Sequence, residues 1–287
     1  MSRFVFSRPL LFFLLLLPLL AAAAQAADVP AIERIRQKGV LTVALFAEDV
    51  PPFFYADADG KLRGIDPGLA GDIADKLGVR LVFNRAATTF DDVIGEVAAG
   101  RADIAVSLLS DTLDRAVQVG FSRSYVSVRQ FLLINRLELG KLIADTDRRN
   151  AAASVPMLLD DPKARIGVIG GTSYVGFLAE DFPRAVAVEF DTWDRMLAAV
   201  KAGELTALMY DEIEIGNWRL ADPAGALELR SFHLAGHLDT IAIAVNRRDR
   251  DLQDWIDLYL TKIEASGFLA ALLDTYLYTA DRMPTHD

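Results

Sequence analysis

Two stretches of this chain repeat one another, and that repetition limits the folds available to it. "TFDDVIGEVAAGRADIAVSLL", from Thr89, and "TWDRMLAAVKAGELTALMYDE", from Thr192, superpose at a constant offset of 103. Phe90 falls on Trp193, Asp91 on Asp194, Val97 on Val200 and Gly100 on Gly203. Each stretch predicts a capped helix with apolar residues at helical spacing, ended by glycine and followed by a short apolar strand. Matching text precedes both copies: buried-type strands "GVLTVALF" (39–46) and "ARIGVIGG" (164–171), each leading through a loop into a helix. Strand, helix and strand in this alternation describe a parallel α/β sheet with right-handed crossovers. Two such halves predict two α/β lobes.

Ligands of open parallel sheets bind beyond the carboxyl ends of the strands. The echoed strand of the first half runs into "SDTLDR" (110–115), and that of the second runs into Tyr210 and Asp211. If the lobes face each other, Arg115 and Asp211 stand on opposite walls of one cleft. Taken alone, an arginine at this place is a solvated charge, with Thr112 as N-cap and Asp114 as a surface partner worth only ~0.5 kcal/mol. The last strand, "TIAIAVN" (240–246), and the helical text after it do not repeat the second half, which leaves them free to return to the first. Residues 136–163 are polar and alanine-rich and predict an edge elaboration of the second lobe or a mobile loop.

The remaining composition narrows the class. Residues 1–26 carry Arg3 and Arg8, an apolar run and the small-x-small "AQA", the pattern of a signal peptide. Its cleavage leaves 261 residues, exported and soluble, enough for two lobes of ordinary size. There is no cysteine, which removes disulfides, thiolate metal sites, cysteine nucleophiles and a lipid-anchoring cysteine. The net charge is −10, or −12 without the two arginines of 1–26, and no basic patch is present, so nucleic acid is not an expected partner. "HLAGH" sets His233 and His237 four apart, but the glycine and the predicted crossover make this a hinge segment rather than a metal site. No G-x-S-x-G elbow is present, and no cofactor is expected.

In order along the chain, "IRQKGVLTVAL", "PPFFYADADGKLRGIDPGLAGDIADKLGV", "SDTLDRAVQVGFSRSY", "IGVIGGTS" and "AGELTALMYDE" resemble the family-3 periplasmic solute-binding proteins, the polar amino-acid receptors of ABC importers. The resemblance spans nearly all of residues 30–280. It implies the type II periplasmic binding protein-like fold, two Rossmann-like α/β lobes joined by a two-strand hinge. On this chain the first lobe would be 27–133 plus 239–287 and the second 134–238. It also implies a periplasmic receptor, monomeric and not an enzyme, that delivers a small solute, most simply an amino acid, to a membrane ABC permease. By the same resemblance Arg115 grips the ligand carboxylate, Asp211 receives its α-ammonium, and Phe90 forms an aromatic wall. Ser110 lies beside the carboxylate, and Thr172 and Ser173 supply a helix N-terminus to complete its cage. A guanidinium fork and helix N–H groups both suit a carboxylate, and together with the echo this favours the clamp over a surface charge at Arg115.

Three positions depart from the family pattern: Val50 in place of an aromatic residue, Thr206 in place of the aspartate kept at its echo Asp103, and Leu108 where some relatives offer a serine. Two other functions stay open. Exported cyclohexadienyl dehydratases resemble the same family but use an acid just after the Gly-Thr of lobe two, where this chain has "GGTSYVG" with Tyr174. Solute-binding-like chains also act as accessory or sensory proteins, for example with periplasmic quinoprotein dehydrogenases.

Overall fold

The structure is a computed structural model that describes residues 29–145 and 154–277. The expected signal peptide over 1–26, the stretch 146–153 and residues 278–287 lie outside the described residues. The first half consists of α1 (Ala31–Lys38), β1 (Val40–Phe46), a small ribbon of β2 (Tyr55–Ala56) and β3 (Leu62–Arg63), α2 (Ile65–Leu77), β4 (Arg80–Ala87), α3 (Phe90–Ala98), β5 (Ile104–Ala105) and α4 (Leu113–Ala116). A long strand, β6 (Val119–Asn135), leads into α5 (Arg136–Asp145), α6 (Val155–Leu159), β7 (Arg165–Ile169), α7 (Tyr174–Asp181), β8 (Val186–Phe190) and α8 (Trp193–Lys201). Then come β9 (Ala207–Asp211), α9 (Glu212–Ala221), α10 (Gly225–Glu228), a second long strand, β10 (Leu229–Asn246), and two final helices, α11 (Arg250–Ala265) and α12 (Phe268–Leu277).

The main sheet has the order β4-β1-β5-β10-β6-β9-β7-β8, which is a mirror about its centre. On one side β1 lies parallel to β4 and β5; on the other, β7 lies parallel to β8 and β9. Between them β6 and β10 run antiparallel to each other and to their neighbours. The fold is therefore a mixed α/β fold of the type II periplasmic binding protein kind, with two crossing strands connecting the halves. The β6–β10 ladder is interrupted between His233 and Leu238, where β10 bulges opposite Gln130 and Gly236 takes φ 86°.

Side-chain alternation along the strands gives each half two cores. Leu41, Val43, Leu45, Ile241, Ile243 and Val245 face one side of the first half and meet α2 and α11. Ala44, Ala105 and Ala244 face the other and meet Val93, Ile94 and Val97 of α3. In the second half Leu132, Ile134, Ile166 and Val168 face α7, while Leu133 and Leu208 face Met196 and Val200 of α8. The polar segment after 135 is helical where it is described: α5 and α6 bury Leu139, Leu142 and Leu159 in the second half.

The echo is structural as well as textual. α3 and α8 begin and end at positions 103 apart, Thr89 and Thr192 cap them, and Gly100 and Gly203 follow at φ 72° and 76°. The capping hydroxyls accept N–H bonds from Asp92 (3.0 Å) and Arg195 (3.4 Å). The departure at Thr206 has a local reason. Asp103 Oδ2 accepts the Thr42 N–H at 2.8 Å and Lys38 Nζ at 3.2 Å; Thr206 Oγ1 accepts the Arg165 N–H at 3.2 Å. Each side chain, just before β5 or β9, accepts an N–H of the neighbouring strand β1 or β7, one with charge and one without. A charge-assisted bond contributes about 2 kcal/mol and a neutral one about 1. Asp103→Ala should therefore destabilise the protein about twice as much as Thr206→Val, read from urea unfolding; equal losses would refute the contribution of charge at Asp103.

Candidate ligand-binding cleft

After β5 the chain enters the crossing region, where Ser110 bridges to Ile241 of β10. Thr112 caps α4, its hydroxyl accepting the Arg115 N–H at 3.4 Å. This one-turn helix leaves Asp114 exposed and turns Arg115 inward, where only 5% of it is accessible. Its partner is Asp91, not Asp114: Nε and Nη2 donate to Asp91 Oδ1 at 3.1 and 2.9 Å, and Nη1 donates to the Ser110 carbonyl at 3.4 Å. The Asp91 side chain is 58% exposed, so the pair is buried at the guanidinium and wet at the carboxylate.

On the opposite wall Asp211 ends β9 and caps α9, with Oδ1 accepting the N–H groups of Ile213 and Glu214, both at 2.8 Å. Burial nevertheless pushes its carboxyl up to about 6, since two donated N–H groups do not replace lost hydration. Glu214, one turn into α9, is raised to about 7 by burial and then by the charge of Asp211. Asp239 enters from β10; burial raises it to about 7 although Ser110 Oγ donates to its Oδ2 at 2.8 Å.

A hydroxyl contact joins the two walls. Ser110 Oγ lies 2.8 Å from Ser173 Oγ. With Asp239 ionised, Ser110 must donate to it, so Ser173 donates to Ser110. The Asp91 N–H donates to the Gly171 carbonyl at 3.2 Å, and a Cβ at Gly171 would lie 2.7 Å from Thr89 Cβ. The cleft is closed in this structure. Phe90, Ser110, Arg115, Thr172, Ser173 and Asp211 all line one cavity of about 20 Å³, room for a water or two. Anything larger enters only if the halves part.

Some residues stand differently from the sequence expectation. Thr172 donates its hydroxyl to the Ile169 carbonyl at 2.7 Å and so secures its own loop. Val50 does not line the cavity; it pairs with Phe54 and packs against the first core. Phe90 stacks on Phe46 with centroids 4.8 Å apart, while its echo Trp193 tilts against Tyr210 in the second half. His237 pairs with Asp181 at 3.2 Å, and His233 packs against Phe131, so the two histidines serve different neighbours. Sequence reasoning missed Asp239, an acid just before an apolar strand, and the stacked pair Tyr174 and Tyr210, whose rings lie 5.1 Å apart. The Tyr174 hydroxyl is buried without a partner and, with Asp211 and Asp239 near it, is held strongly protonated. The site thus offers one buried guanidinium, two lining carboxyls, a free phenol and a serine pair.

Comparison with known proteins agrees with this architecture. The model of the bacterial extracellular solute-binding proteins, family 3, matches residues 41–279. A cyclohexadienyl dehydratase of Pseudomonas aeruginosa is 27% identical over 91% of both chains. The ABC transporter arginine-binding protein 1 of Escherichia coli is 21% identical over 79% of this chain and 86% of its own. The crystal structure of the solute receptor for L-cysteine of Neisseria gonorrhoeae superposes with a TM-score of 0.68 at 25% identity, covering 88% of this chain and 97% of that one. With the mirrored sheet and the closed interlobe cleft, these matches place the chain in the bacterial extracellular solute-binding proteins, family 3.

Proposed function

We propose that this protein is a periplasmic receptor that closes over a small zwitterion, most simply an amino acid, and delivers it to a membrane ABC permease. The observation that carries this reading is the meeting of buried Arg115 and buried Asp211, from opposite halves, at one cavity. Residues 27–133 with 239–287 and residues 134–238 serve as the two lobes. Opening frees the Arg115 fork for a ligand carboxylate, with Ser110, Ser173 and the start of α7 beside it, and Asp211 takes the ammonium. Phe90 supplies an apolar wall. Each buried charge then has a counter-charge from the ligand, which offsets the desolvation that raises Asp211. The amino-acid and arginine receptors among its relatives support the solute class.

A second reading has one observation behind it. Asp239, raised to about 7, keeps a proton available in the cavity beside the Ser110–Ser173 pair, as a general acid requires. A dehydratase related to the Pseudomonas aeruginosa relative would use Asp239 in place of the acid missing at Tyr174. Turnover of prephenate or arogenate, lost in Asp239→Asn, would establish it. An accessory or sensory role predicts no stabilisation by any amino acid or carboxylate.

A thermal-shift screen over amino acids and small carboxylates tests the receptor reading. One ligand class should stabilise the protein, by about 2.7 kcal/mol at a hundredfold excess over Kd. Arg115→Ala should abolish the shift while the unliganded protein stays folded; retained affinity would remove the clamp. Binding should also depend on pH in a defined direction. Asp211 is neutral below about 6 and must ionise to hold an ammonium, so affinity should be steady near pH 7 to 8, where the ligand keeps its ammonium proton, and fall roughly tenfold per pH unit below about 6. Asp211→Asn should remove this step, and a flat wild-type profile from pH 8 to 5 would rule Asp211 out as the ammonium partner.

A further inference from the structure

Leu108 is the one non-glycine residue with positive φ among the described residues, at 48°. A left-handed backbone is unfavourable for any residue that carries a Cβ, more so for a bulky one, and glycine is the usual occupant. The conformation is held from three directions. Asp66, fully buried in the first turn of α2, accepts the Leu108 N–H through Oδ2 at 2.7 Å. Its Oδ1 accepts the Tyr125 hydroxyl at 2.7 Å, which ties the same carboxyl to the crossing strand β6. On either side of Leu108, Ser107 Oγ accepts the Phe46 N–H at 3.0 Å and the Leu109 carbonyl accepts the Ala242 N–H at 3.0 Å. Both flanks are therefore anchored to neighbouring strands, and the kink falls on Leu108. Its side chain lines the 20 Å³ cavity, between the walls that carry Arg115 and Asp211. A strained residue kept where it occupies ligand space is a candidate for function rather than packing alone.

We propose that Leu108 sets the size limit for the ligand's side chain, and that Asp66 is the positioning residue that holds Leu108 in the cavity. The proposal rests on the receptor reading and sharpens it. With Phe90, Val128, Tyr174 and Tyr210 as the other apolar and aromatic walls of a cavity already only water-sized, a leucine at this point favours a ligand with a short side chain. Leu108→Gly relieves the backbone and removes four carbon atoms from the cavity, so it should admit larger ligands without loss of folding. Asp66→Ala frees the Leu108 amide and should relax the limit in the same direction. Asp66→Asn, whose carbonyl still accepts that amide, should restore it.

Isothermal titration with L-alanine and L-phenylalanine tests both parts. Wild type should favour L-alanine, and Leu108→Gly should shift the ratio of the two Kd values toward L-phenylalanine by about tenfold or more. Asp66→Ala should shift the ratio the same way, and Asp66→Asn should leave it at the wild-type value. If Asp66→Ala does not fold, Asp66→Leu, which fills the space without an acceptor, takes its place. A merely structural role for Asp66 lowers stability without moving the ratio, and that result overturns its positioning part. A wild-type preference for L-phenylalanine, or an unchanged ratio in Leu108→Gly, overturns the size limit while leaving the receptor reading intact. No binding of either amino acid by wild type or Leu108→Gly overturns the size limit, and the receptor reading then stands or falls with the thermal-shift screen.

Discussion

The antiparallel pairing of β6 with β10 is the contact on which the rest of the molecule depends. These strands are the only ones that pass through both halves of the main sheet as described, and each half attaches its own parallel strands to them. Backbone hydrogen bonds fix the two strands to each other, so the geometry of the cleft follows from their register. The bulge opposite Gln130 interrupts this ladder near the middle. There the cooperative hydrogen bonding lapses, and a few residues can absorb a change of backbone angle. Ser110, Val128, Asp239 and the end of β9 all gather close to this interruption, which places the polar residues of the site where the two halves would rotate.

Much of this was legible from sequence because the informative signals were local. Caps, apolar spacing and closing glycines marked the existence and place of α3 and α8, since each signal acts within a turn or two of chain. The duplication then carried position from one half to the other, which brought Arg115 and Asp211 toward one cleft without knowledge of tertiary structure. What escaped was non-local. The partner of Arg115 lies 24 positions earlier in the chain, and Asp239 meets Ser110 across 129. No periodicity encodes such pairings. The helices of 136–145 and 155–159 were hidden by a polar, alanine-rich composition that masks a few well-spaced leucines.

Charge gives the site its character. Asp211 and Asp239 are buried at the cavity and Glu214 close behind, while the buried guanidinium is already engaged by Asp91. An isolated buried carboxylate is costly, and these groups respond by holding their protons more tightly. The closed form without a counter-ion is therefore electrostatically unrewarded. Asp91 in part plays the role a ligand carboxylate would play, but from the solvent side, where it can be displaced at little cost in hydration. In the proposed receptor, closure and charge compensation would become one event, which separates it from a surface that merely attracts.

The approach of Gly171 to Thr89 adds a limit of another kind. Backbone meets side chain there with no space for even a methyl group, and Asp91 bonds the adjoining carbonyl. Neither element belongs to a ligand, so in the proposed receptor this contact would limit how near the two halves can come. A guest larger than the water-sized space left here would hold the halves short of that limit. The separation at which the halves come to rest would then depend on the guest, so whatever reads the closed shape would sense its size as well as its presence.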